Sequence, residues 1–128
     1  MSTLNLPHNH HQETADYLEN MPQTTEFQAA SDVFKLLGDT SRIRIFWLLC
    51  HCEECVINIS SIVEMSSPAV SHHLRLLKTS GLIVSRREGK EMYYKAADTP
   101  TAQLLHETIE QMIHLACPFR KEENHVEH

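Results

Sequence analysis

Apolar residues recur at helical spacing in five stretches of this chain, and one further stretch is β-prone. Phe27, Ala30, Phe34 and Leu37 fall at helical intervals between Thr24 and Leu37, which predicts a core helix stopped by Gly38. Asp39 or Thr40 is placed to cap a second helix from Ser41 to about Cys52, with Ile43, Phe46, Trp47 and Cys50 as its buried side. Trp47 reads as a packing residue. A third helix over Val56 to Glu64 brings Ile57, Ile59, Ile62 and Val63, with Met65 just beyond, to pack on the helix after it.

That fourth helix opens with Ser66 and Ser67 before Pro68, a serine N-cap followed by a proline whose missing N–H costs nothing in the first turn. Val70, Leu74 and Leu77 recur at i, i+4, i+7 and form one apolar face. Ala69, His72, Arg75 and Lys78 are left on the other. Gly81 is a plausible helix stop, and LIVSRREGKEMYYKA after it reads as two β-prone runs joined at Glu88-Gly89-Lys90, a hairpin. The last helix runs from Thr99 to Ala116, before Pro118. Its Leu104, Leu105, Ile109, Met112, Ile113 and Leu115 make an apolar band wider than one small domain covers, so a second subunit is expected against it.

Charge adds a function to this pattern. Between Ser66 and Lys90 five basic residues, Arg75, Lys78, Arg86, Arg87 and Lys90, face one acid, Glu88, a net of +4 in a chain whose total is −6. The positive charge is therefore local. With a sequence pI of about 5.9 the protein is no general coater of nucleic acid, but a basic helix followed by a hairpin suits a reader in the DNA major groove with a wing over the phosphates. A solvated amphipathic helix beside an ordinary hairpin explains the same residues without DNA.

At 128 residues and 41% hydrophobic content a single domain is expected. No apolar run reaches the length of a membrane span and the amino terminus is polar, so the expected location is the cytoplasm, with no membrane partner. Residues 1–22 read as a flexible arm with His8, His10 and His11, residues 23–118 as the folded domain, and residues 119–128 as a polar tail. There is no Gly-rich phosphate loop, no Gly-x-Ser-x-Gly and no His-Glu-x-x-His, and an enzyme is not expected.

The run from about Phe34 to Ala97 resembles the winged helix-turn-helix core of the ArsR/SmtB family of bacterial metal-responsive repressors. It covers about half the chain. The resemblance is carried, in order, by Leu-Gly-Asp-x-x-Arg, by Ser-x-His-Leu-x-x-Leu, by Gly-Leu-Ile and by Arg-x-Gly-x-x-x-Tyr-Tyr. It implies a mainly α fold with a β-hairpin wing, dimeric through its terminal helices, whose two reader helices would lie roughly 34 Å apart to meet successive major grooves of double-stranded operator DNA. The positions implied for DNA contact are Ser66, Ser67, Ala69, Ser71, His72, Arg75, Lys78, Arg86, Arg87 and Lys90. Among them His72 and Arg75 are assigned to bases, and Lys78, Arg86, Arg87 and Lys90 mainly to phosphates.

The implied effector is a transition-metal ion such as Zn or Cd whose binding releases the operator, but the ligands depart from the family's patterns. Where some members have Cys-x-Cys, this chain has Glu54-Cys55-Val56-Ile57-Asn58, which leaves Cys55 alone. Cys50 and Cys52 lie just upstream, so three thiols with His51 could close on one soft ion; otherwise Cys50 is a buried apolar residue and the other two are incidental. In members with an interfacial site an Asp-x-His pair opens the last helix; here Asp98 is followed by Pro100. His114 and Cys117 keep an i, i+3 spacing farther along, with His106 and Glu110 continuing the row, either as ligands or as a polar edge. A thiol or persulfide switch joining Cys50 to Cys117 is the alternative effector reading.

Overall fold

The computed structural model describes residues 6–8 and 12–117. Two compact units divide the chain, Met1–Lys35 and Leu36–His128. The first holds α1 (Gln12–Glu19) and nearly all of α2 (Thr24–Leu36), so the predicted arm contains a helix of its own. His8 is exposed, while His10, His11 and the tail over 119–128 lie outside the described residues. The spacing of Phe27 and Phe34 gives the helix but not the expected core role. No residue of α2 is buried, and Phe34 is 77% exposed.

The second unit runs α3 (Thr40–His51), β1 (Glu54–Cys55), α4 (Val56–Val63), α5 (Ser67–Thr79), β2 (Ile83–Glu88), β3 (Glu91–Ala96), α6 (Pro100–Ala116). This is the winged helix-turn-helix arrangement, α4 and α5 followed by the wing. The strands form an antiparallel sheet in the order β1-β3-β2. β1 pairs Glu54 with Tyr94 and Cys55 with Tyr93, an addition to the hairpin that no periodicity announces because two residues carry none. Gly89, with φ +65°, takes the first central position of the two-residue turn, where a type II′ hairpin places glycine.

One apolar core joins α3, α4, α5, α6 and the base of the wing. Ile45, Phe46 and Leu49 are the buried stripe of α3, and Ile43, Trp47 and Cys50, expected on that side, are half-buried at its edge. α4 buries Ile59 and Val63 but leaves Ile57 and Ile62 exposed. On α5 Val70, Leu74 and Leu77 are all buried as expected, each contributing about 1.5–3 kcal/mol by leaving water. Ile109 holds α6 to this core. Among the described residues no helix is long and apolar enough to cross a membrane.

Candidate nucleic-acid interface and metal centre

α5 begins as its sequence requires. The Ser66 side chain accepts the Ala69 N–H at 3.3 Å, and Pro68 stands in the first turn. It ends in a Schellman motif: the Leu82 N–H reaches the Leu77 carbonyl and the Gly81 N–H that of Lys78, both at 3.0 Å, with Gly81 at φ +83°. Between these ends His72, Arg75 and Lys78 project outward and are exposed. Ala69 and Ser71 are half-buried, and the exposed Ser67 shares a hydroxyl contact of 3.3 Å with Ser60 of α4. The helix thus has one fully buried face and one face of donors.

The wing divides its cations differently from expectation. Arg86 makes a two-toothed pair with Glu53, at 2.8 and 2.9 Å, reaches Glu88 at 2.9 Å and lies over the Tyr93 ring. Glu53 is held below the usual carboxylate range by the Arg86 hydrogen bonds, and Arg86 above its own ordinary value by Glu53 first and Glu88 second. Its charge is thus engaged inside the protein, fastening the wing to the segment after α3. Arg87 and Lys90 are exposed and form no ion pair among the described residues.

His73, the histidine of the Ser-x-His motif and next to the outward His72, points the other way and is 8% exposed, at a position to which the sequence assigned no role. Arg42 donates to its Nδ1 at 3.2 Å, which leaves the proton of the neutral ring on Nε2, facing Asp39 at 3.9 Å. Burial lowers the His73 pKa, Arg42 and His72 lower it further, and Asp39 opposes them. Asp39 caps α3 through the Arg42 N–H at 2.9 Å, and that bond holds its carboxyl below the ordinary value.

Of the expected metal ligands, His106 and Glu110 come together, with His51 beside them, while the three cysteines at and beyond the end of α3 do not. Cys50 is half-buried, Cys52 exposed and Cys55 buried in β1. All are free thiols, and the three do not meet as a ligand set. Burial, then Glu110, pushes the Cys50 thiol up to about 11, and burial, then Glu54, raises that of Cys52. His114 and Cys117, at the end of α6, are exposed.

The group of three donors that does form among the described residues is His51, His106 and Glu110, whose ligand atoms all lie within 4.8 Å of one another. His51 and His106 approach through their Nε2 atoms at 3.1 Å. Trp47 donates from Nε1 to Glu110 Oε1 at 3.1 Å, and its ring lies 4.2 Å from that of His51. Beside this group is a cavity of about 360 Å³ whose walls include Cys50, His51, Cys52, Asp98 and His106.

Residues 39–85 match the sequence profile described as "Bacterial regulatory protein, arsR family". The chain is 43% identical over 74 residues to the cadmium resistance transcriptional regulatory protein CadC homolog of Staphylococcus aureus, covering 57% of this chain and 61% of that one. It is 34% identical over 85 residues to the transcriptional repressor SmtB homolog of Synechocystis, covering 66% and 64%. The HTH-type transcriptional regulator NmtR of Mycobacterium tuberculosis is 37% identical over 91 residues, covering 69% and 76%. The chain spans about three-fifths of the length of the first of these relatives. A homodimeric winged helix-turn-helix DNA-binding domain from Mycobacterium bovis, described as a possible ArsR-family regulator, superposes with a TM-score of 0.59 at 25% identity, over 83% of this chain and 89% of that one.

Proposed function

We propose, for a chain that belongs to the ArsR family of bacterial regulatory proteins, that it is a dimeric transcriptional repressor which leaves its operator when a metal ion such as Zn or Cd binds. The carrying observation is the outward face of α5. His72, Arg75 and Lys78 stand exposed on a helix whose other face is locked by Val70, Leu74 and Leu77. A helix so held can enter a major groove without losing its own packing, with His72 and Arg75 toward base edges and Lys78, Arg87 and Lys90 toward phosphates.

Dimerisation is supported by α6, where Leu104, Met112 and Leu115 are exposed on the helix that Ile109 holds to the core. The metal response is supported by the cadmium resistance named for the CadC relative and by the donor-rich cleft where α3 ends against α6. A coupling of about 1–3 kcal/mol between ion and DNA would lower operator affinity roughly 5- to 150-fold, and DNA would weaken the ion by the same factor.

The test is a fluorescence titration of a duplex selected by the protein from a random library, with Zn, with Cd and with chelator. A sequence-preferring duplex released on adding metal is the expected result. Equal affinity with metal and with chelator removes the sensor reading, and the absence of any preferred duplex removes the repressor itself.

A further inference from the structure

We propose that His51, His106 and Glu110 form a metal site contained within one protomer, taking a borderline divalent ion such as Zn²⁺ through two imidazole nitrogens and one carboxylate oxygen. This deepens the metal-responsive reading and rests on it only for what the site would regulate.

The site follows from how two helices meet. His106 and Glu110 are one turn apart on α6 and share a face, and His51 is the last residue of α3, which packs on α6. Packing brings residues 55 positions apart to 3.1 Å between Nε2 atoms. Ligand atoms around one tetrahedral zinc stand about 3.3 Å apart for bonds near 2.0–2.1 Å. The two imidazoles are already at that separation. Glu110, within 4.8 Å, has a modest distance to close on half-buried side chains that can adjust. The rings cross at 84° with their centroids 4.8 Å apart, a T-shaped contact and not a stack.

Trp47 makes the arrangement more than a chance meeting of polar groups. It is one turn before His51 on the same helix, its indole N–H holds one oxygen of Glu110 and its ring lies against that of His51. One side chain thereby orients two of the three donors, the role an outer-shell partner has in a metal site. A set of two nitrogens and one oxygen suits Zn²⁺, Co²⁺ or Ni²⁺ better than ions that prefer all-oxygen cages, or than Cu(I) and As(III), which prefer thiolates. The cysteines of the adjoining cavity are not required.

Co²⁺ titration of the full chain, read by absorption, tests this. The wild type should show ligand-field bands without the intense near-ultraviolet thiolate-to-cobalt band. His51→Ala and His106→Ala should each weaken binding more than about 100-fold, and Trp47→Phe, which keeps the ring and removes the donor, about 10- to 100-fold. Wild-type affinity in both histidine variants, or a thiolate band that disappears in Cys52→Ser with Cys55→Ser, overturns the assignment. The wild-type spectrum alone discriminates these ligand sets should a variant fail to fold. Metal-driven release of DNA that survives loss of His51 and His106 would remove this site and leave the repressor reading intact. Binding here with no effect on DNA would do the reverse.

Discussion

Arg42 and His73, 31 positions apart, are joined by a guanidinium-to-imidazole hydrogen bond of 3.2 Å that fixes the first turn of α3 to the inner side of the reader helix. The same guanidinium donates from Nε to the Leu36 carbonyl at 2.6 Å. Arg42→Ala would leave both acceptors without this donor. It should cost about 1–3 kcal/mol of stability, measured by urea unfolding, and weaken DNA binding through a loosened helix instead of a lost contact.

His73 also predicts a pH dependence. Its folded pKa lies below the ordinary histidine value, so the unfolded chain binds the proton more readily and acid favours unfolding. The stability it confers is complete above the unfolded value, about 6.5, and is lost as pH falls from there toward the lower folded value. Unfolding midpoints of wild type and His73→Gln should therefore converge as pH drops from 7.5 to 5.5. A gap that widens on acidification would contradict this.

On the wing, Arg87→Ala and Lys90→Ala should each reduce the slope of log affinity against log salt by about 0.9, the value for one lost phosphate contact. Arg86→Ala should change that slope little, because Glu53 and Glu88 already hold its charge, and should instead free the wing for faster amide exchange. Equal slopes for all three variants would show that the ion pair opens on DNA.

For the dimer, exposure separates two kinds of α6 variant. Ile109 is 5% exposed within its own protomer, so Ile109→Glu should unfold the chain, whereas Leu115→Glu, at a position 77% exposed, should give folded monomers. Sedimentation together with circular dichroism tells these apart. Folded dimers for Leu104→Glu, Met112→Glu and Leu115→Glu alike would show that this face is not the interface.

Glu64 closes α4 in the left-handed region, at φ 57° and ψ 50°, in the turn between the two helices of the motif. That conformation costs a non-glycine residue roughly 1–2 kcal/mol. Glu64→Gly should raise stability by about 0.5–1 kcal/mol, visible as a higher thermal midpoint.

The reader helix was legible because its signals are local: the serine cap, the proline and three apolar residues on one stripe lie within a dozen positions. α3 was legible as a helix but not in phase. IRIFWLLC is apolar around most of its circumference, so spacing could not choose Ile45 and Leu49 over Ile43 and Cys50 as the innermost positions. What decides the candidate sites is long-range. Arg86 meets Glu53 across 33 positions and His106 meets His51 across 55, and no periodicity encodes such meetings. The Cys-x-Cys-x-x-Cys spacing, by contrast, is local and still does not tell where the thiols lie. α3 ends at His51 and β1 begins at Glu54, so Cys50, Cys52 and Cys55 belong to a helix, a connecting segment and a strand, with three different exposures.

Leu82 lies at the junction of reader and wing, its N–H closing α5 on Leu77 and its carbonyl accepting the Ala97 N–H at 2.9 Å where β3 ends. With its side chain also buried, Leu82 ties the end of the helix to the base of the hairpin on both sides of its own backbone. Reader and wing should therefore move as one lever. An operator half-site would be gripped and dropped in a single stroke, and its dissociation should follow one exponential, without a stage in which the helix has left the groove while the wing still holds the backbone.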